Sequence, residues 1–433
     1  MRRLSPLLLA ATLAAPLAAQ APSPLSAELD RRLGAVMPKV VAWRRDIHEH
    51  PELSGQEERT ARVVAEHLRS LGIEVRTGVG GHGVVGVLRG GRPGRTVALR
   101  ADMDGLPVTE QVDLPFRSRV RATYNGQEVG VMHACGHDNH VAILMGTAEV
   151  LAGMKAQIPG TVVFIFQPAE EGHPDGGGGA ERMIADGVMD DPKIDAIFGL
   201  HVWSGKLGEI TYRPGPTMAA SNSYRITVHG RQTHGANPWG GIDPIVVGSQ
   251  IVMGLQTIIS RQTDITAIPA IVTVGQFQAG VRNNIIPDSA VMIGTIRTFS
   301  DAQKTDIFRR VEQTARNIAE ASGARVVVQI DSGYIVTRND EALTARMLPT
   351  LQRAAGRDMV QLAPLATGAE DFSFFQARVP GMFFFLGVSA PEADLNTVPR
   401  NHSPLFFADE RALPVGVKAM SSLALDWLGQ NPR

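Results

Sequence analysis

Eight consecutive residues, His133-Ala134-Cys135-Gly136-His137-Asp138-Asn139-His140, hold three histidines, an aspartate and the only cysteine of the 433-residue chain. That is a dense supply of metal-binding or nucleophilic groups, and no other stretch is as rich. Cys135 and His137, separated by one glycine, suit two ligands on a tight loop, because Gly136 tolerates backbone angles that other residues resist. A lone cysteine is usually a small buried apolar residue. Here its histidine-rich surroundings favour reactivity or metal binding.

The second feature is Glu170-Glu171, which follows the apolar run Thr161 to Phe166. Adjacent residues leaving a strand point in opposite directions, so one carboxylate can bind a metal while its neighbour meets an attacking water. The chemistry wants that division, since a metal lowers the pKa of water and a separate carboxylate takes the proton. Most Glu-Glu pairs are solvated acidic loops; a place at the mouth of a buried strand raises the functional reading above that background. Asp102 and Asp104, beside another apolar run, could be ligands, could accept the second ring proton of a histidine, or could form a turn. His201 and His402 are weak signals alone, because an isolated histidine is more often a satisfied core residue.

These residues need a scaffold. Helical spacing predicts a helix from Glu28 to His48, kinked or divided at Pro38, and a second from about Glu57 to Leu71. Short strands follow at Ile73 to Arg76 and Gly83 to Leu88. Thr96 to Ala101 reads as a strand buried on both faces, then a helix from Val141 to Leu151, a strand Thr161 to Phe166, and a strand Ala196 to Leu200 ending at His201. Strands alternating with helices predict a doubly wound, mostly parallel α/β sheet. Ligands bind such sheets outside the carboxyl ends of the strands, where Asp102, Asp104, Glu170, Glu171 and His201 all fall. From about residue 222 the order becomes β-α-β-β-α-β, with a long helix from Asp301 to Ala321 capped by Ser300, as in a ferredoxin-like unit. The expected organisation is a catalytic domain of residues 26–219 and 335–433, interrupted by an inserted lid or dimerisation domain at 220–334. The strand Met382 to Leu386 and a final helix Leu413 to Leu428 complete the first domain.

Composition excludes some functions. Lys plus Arg number 42 against 43 Asp plus Glu, which leaves no basic surplus to neutralise a nucleic-acid backbone. Residues 1–21 read as a secretory signal: Arg2 and Arg3, an apolar run from Leu7 to Leu17, and Ala19-Gln20-Ala21 as the cleavage site. The mature protein is therefore expected to be exported, periplasmic or secreted. No stretch approaches the roughly 20 apolar residues of a membrane span, and a single cysteine forms no internal disulfide.

Six segments, in order, resemble the motifs of the M20 metallopeptidases: Arg45 to Leu53, Ala101 to Pro107, His133 to Asp138, Gln167 to Gly172, Gly368 to Phe372 and Asn401 to Pro404. The nearest branch is the amidohydrolases that cleave N-acyl amino acids, including hippurate and auxin-conjugate hydrolases. The resemblance implies two divalent metal ions (zinc, manganese, cobalt or nickel) held by Cys135, His137, Glu171, His201 and His402, with Glu170 as general base. It also implies that Asp104 steadies a ligand, that His234 stabilises the oxyanion, reaching a neighbouring subunit's site in related enzymes, and that Asn284 assists in substrate contact. A homo-oligomer built through the inserted domain follows, acting on an N-acyl amino acid or a dipeptide-like molecule. His48, His50, His173, His133 and His140 are expected to shape loops, and Gly176 to Gly179 to form a flexible loop. Three rivals stay open: a dipeptidase or carboxypeptidase of the same family, a cysteine hydrolase using Cys135 as nucleophile, and a binding protein that has lost catalysis.

Overall fold

Apolar residues at alternate positions of the central strands sort into two separate cores. Along Arg92–Asp102, Val97, Leu99 and Ala101 enter one core and Ala98 the other. Along Pro159–Gln167, Val162, Phe164 and Phe166 oppose Val163 and Ile165, and in Gly381–Ser389, Phe384 and Leu386 oppose Phe383 and Phe385. Side chains of a strand alternate between faces, so strands apolar at every position must be covered on both.

The computed structural model describes residues 24–431; the expected signal segment, residues 1–21, lies outside the described residues. An eight-stranded sheet runs in the order Glu74–Val79, Gly83–Arg89, Pro159–Gln167, Arg92–Asp102, Ala196–Lys206, Gly381–Ser389, Ile210–Tyr212 and Val360–Leu362. Its four central strands are mutually parallel, whereas Gly83–Arg89 pairs antiparallel on both sides. The larger core fills one face beneath the helices Pro24–Glu49, Glu58–Ser70, His137–Gly153, Glu341–Ala355 and Leu413–Gln430. The short helices Gly179–Ala185 and Phe372–Gln376 close the other with Ala180, Met183, Phe372 and Phe375. This is the doubly wound α/β architecture the sequence predicts. It brings the carboxyl ends of Arg92–Asp102, Pro159–Gln167 and Ala196–Lys206 to one edge.

A separate antiparallel sheet has the order Ile271–Ala279, Ser289–Thr298, Ala220–His229, Arg325–Ser332. It shares a third core with the helices Pro244–Gln262 and Asp301–Ala321, giving the expected β-α-β-β-α-β order. Ser300 caps the second helix, its hydroxyl accepting from the Gln303 amide at 3.2 Å. Among the described residues, no helix is long and apolar enough to cross a membrane.

Three expectations change. The first helix is not divided at Pro38 but runs unbroken from Pro24 to Glu49. Pro38 and Gly34, whose carbonyl loses its helical donor, are both exposed, so water can satisfy the lost bond. The helix expected to begin at Val141 begins at His137, inside the histidine-rich motif. The strand expected to end at His201 runs on to Lys206.

Candidate metal centre

The site starts with Gly136. It adopts φ +92°, and a Cβ there would lie 2.4 Å from Cγ2 of Val202, so only glycine lets the chain turn from Cys135 directly into the helix that carries His137. Cys135 and His137 thereby project from one loop-helix junction at the carboxyl edge of the sheet.

His201 reaches the same point from its strand. Its Nδ1 lies 2.7 Å from the Val202 carbonyl, which leaves Nε2 facing the Cys135 sulfur at 3.3 Å. His402, at φ +72° in a loop, approaches from the other side with Nε2 3.2 Å from the same sulfur and 3.0 Å from Oε1 of Glu171. Asn401 anchors that loop, donating to the carbonyls of Cys135 at 2.9 Å and Val202 at 3.0 Å. All five residues that the resemblance implies as ligands thus converge.

Asp104 organises the acidic turn. Its carboxylate accepts from the backbone amides of Glu170 at 3.2 Å and Glu171 at 2.9 Å and from the Ser54 hydroxyl at 2.6 Å, and Nδ1 of His137 sits 3.1 Å away. One buried carboxylate therefore orients a histidine and the turn carrying both glutamates, as second-sphere carboxylates do. Glu57, an actor the sequence reading missed, accepts from the Ala169 amide at 2.8 Å. That residue is left-handed at φ +51°. Burial and the nearby Asp104 push Glu57 up to about 8.

His140 and His48 have partners of their own, whereas both ring nitrogens of the buried His133 lack one. Nδ1 of His140 hydrogen-bonds Asp102 and its Nε2 accepts from the Val202 amide at 2.8 Å, so both ring nitrogens are engaged and the ring supports the loop as expected. Nδ1 of His48 lies 2.9 Å from Asp138 and its Nε2 3.0 Å from Glu110. Gly176 and Gly177 turn the chain at φ +89° and +74°, and Gly179 opens the helix Gly179–Ala185. A Cβ on Gly179 would fall 1.7 Å from the Pro168 carbonyl oxygen, so the run packs against the turn that bears the glutamates.

The donor set fits divalent cations. Among the described residues, five triads have ligand atoms within 4.8 Å of one another; two contain Asp102, and the other three are Cys135 with His137 and His201, Cys135 with Glu171 and His402, and His137 with Glu170 and Glu171. Two triads share Cys135, which suits a pair of ions. Nε2 of His137 is buried without a hydrogen-bond partner, a costly state unless a ligand satisfies it. Burial, then Glu171 and Glu170, holds the Cys135 thiol well above its ordinary range. A nucleophilic cysteine needs the opposite shift, whereas a cation supplies the charge that stabilises a thiolate. Burial and the carboxyls of Glu370, Glu171 and Asp371 likewise hold Glu170 well above the usual carboxylate range.

A cavity of about 610 Å³ opens over the cluster. Cys135, Glu170, Glu171, His201 and His402 line it, together with Tyr334, whose hydroxyl donates to the Glu170 carbonyl at 2.6 Å. Ser221 and Arg297, register partners on the four-stranded sheet, line it as well. The side chain of Arg297, which the sequence reading did not single out, makes no ion pair or hydrogen bond among the described residues, and its Nη1 is buried without a partner. His234 and Asn284 are placed elsewhere. His234 is exposed on a two-residue strand paired with Ile285 and Ile286, and the carbonyl of Asn284 accepts from the Gly235 amide at 2.8 Å. Neither lines the cavity in the single chain.

Comparison with known proteins agrees with this geometry. The model of the peptidase family M20/M25/M40 matches residues 98–426. A thermostable carboxypeptidase of Saccharolobus solfataricus is 42% identical over 89% of this chain and 94% of its own. An N-acyl-L-amino acid amidohydrolase of Geobacillus stearothermophilus is 42% identical over 71% of this chain and 80% of its own. Among solved structures, a dinuclear metal-binding M20 peptidase of Bacillus subtilis superposes with a TM-score of 0.76 at 34% identity, covering 92% of this chain and 99% of that one.

Proposed function

The chain belongs to the peptidase family M20/M25/M40, a metal-dependent amidohydrolase with a two-metal centre, and from that membership we propose that it hydrolyses N-acyl amino acids with Glu170 as general base. Bound divalent cations supply Lewis acidity and lower the pKa of water. Cys135, His137, Glu171, His201 and His402 hold them. Glu170 takes the proton of the attacking water and returns it to the leaving amine, the double duty of a buried carboxyl with a raised pKa.

The observation that carries the substrate class is Arg297. An unpaired guanidinium beside a hydrolytic centre is suited to a free carboxylate, which it meets through charge-assisted and often bidentate hydrogen bonds. A panel of N-acyl amino acids, their carboxamide counterparts and dipeptides tests the reading, each assayed with and without a chelator. The expected result is cleavage of the N-acyl amino acids, a loss of about tenfold to a hundredfold on blocking the carboxylate, and abolition by the chelator with recovery on adding divalent ions. Turnover indifferent to chelation or to carboxylate blocking overturns it. Faster cleavage of dipeptides selects the dipeptidase or carboxypeptidase reading instead.

Exposure of His234 outside the cavity supports its action on the site of a second copy. Coexpressed Glu170→Gln and His234→Ala chains are then expected to recover about a quarter of the wild-type rate, since half of randomly assorted dimers are mixed and each mixed dimer has one complete site. Activity no greater than the sum of the two variants alone defeats that arrangement.

A further inference from the structure

We propose that a second cavity beside the metal cluster is the acyl subsite and takes a flat apolar acyl group; the assignment rests on the N-acyl amino acid reading. The cavity, about 430 Å³, shares Trp203 and Gly368 with the catalytic one. Nothing in the reaction described above uses it.

Three neighbouring strands build its floor. Trp203 lies two residues beyond His201 on the same strand, hence on the same face, and the two rings are 5.8 Å apart. Phe385 is the register partner of His201 on the adjoining strand and stands edge-on to Trp203 at 5.5 Å. Thr211 is in turn the register partner of Phe385. Leu365, from the loop after Val360–Leu362, lines the cavity from the side. Two residues past Trp203, where the pairing with Gly381–Ser389 shifts register, Gly205 lines the cavity with no side chain. A Cβ there would meet nothing nearer than the Gly387 Cα at 3.7 Å, so the floor carries space that the protein does not fill.

Chemistry and direction both select the acyl arm. Trp203 and Phe385 present ring surface, which pairs with another flat ring edge-to-face or offset, and Trp203 stays half-buried, leaving surface for a ligand to cover. Arg297 enters the catalytic cavity from the four-stranded sheet and Trp203 from the eight-stranded one. A substrate whose carboxylate meets Arg297 has its acyl arm free to pass Trp203 into the second cavity.

The test is kcat/KM for N-phenylacetyl and N-acetyl derivatives of one amino acid. Wild type is expected to favour the phenylacetyl compound. Gly205→Leu, which fills the floor, is expected to lower the phenylacetyl-to-acetyl ratio about tenfold or more, and Leu365→Asp, which makes the wall polar, to move it the same way. Should Gly205→Leu fail to fold, Leu365→Asp decides. A ratio within about twofold of wild type in folded variants overturns the subsite while leaving the N-acyl amino acid reading intact. Failure of wild type to cleave either compound overturns that reading itself.

Discussion

Replacing Glu170 by glutamine is expected to leave the metal content at the wild-type level and to lower kcat by about 10²–10⁴-fold, the usual contribution of a positioned general base. Glutamine has nearly the shape of glutamate, and the bonds that place residue 170 are made by its backbone: the amide donates to Asp104 and the carbonyl accepts from Tyr334. The substitution therefore removes the proton acceptor and keeps the turn. Glu171, Cys135 and the three histidines are untouched, so ion retention measured by atomic emission alongside steady-state kinetics separates the two roles. Loss of metal together with activity would make Glu170 a ligand instead of a base. Activity within an order of magnitude of wild type would remove it from the chemistry.

The second large effect concerns stability. Arg100→Met is expected to destabilise the fold by about 3–5 kcal/mol, the cost of removing one member of a buried ionic network. The Arg100 side chain is fully buried and donates at 2.8–2.9 Å to Asp102, Glu370, Asp371 and the Gln167 side-chain carbonyl. Burial works against its charge, but the three carboxyls outweigh that and hold the guanidinium protonated. Methionine fills much of the volume and leaves three acidic groups facing one another without a cation. Thermal and chemical denaturation read the effect, and a midpoint indistinguishable from wild type would contradict it. Activity should fall as well, because Asp102 positions His140 and Glu370 lines the catalytic cavity.

Neither Arg100 nor Arg297 stands out in the sequence, and the reason is the same for both. An arginine within a strand pattern reads as a solvated residue or an interruption. Arg100 becomes the hub of a network only because the parallel crossover sets Arg92–Asp102 beside Pro159–Gln167, and because residues 370 and 371, some 270 positions away, close over the strand ends. Arg297 faces the metal cluster only because the four-stranded sheet is set against the edge of the larger one. The unbroken helix through Pro38 has a related cause, since exposure of the carbonyl four residues earlier depends on which face the core claims.

The sequence by itself determined what local chemistry and short-range periodicity can encode. Continuous apolar runs define the strands buried on both faces, Ser300 starts its helix, and Gly136 marks a tight turn. The residue types of His133 to His140 and Glu170-Glu171, with the order of their motifs, define a hydrolytic metal site. Tertiary structure alone decided how those parts are shared out. It gave His140 to Asp102 and left Nε2 of His137 without a hydrogen-bond partner, set the Cys135 sulfur between His201 and His402, and kept His234 out of its own chain's cavity. Those assignments depend on distances between segments separated by tens to hundreds of residues, and strand order and packing, not spacing along the chain, set such distances.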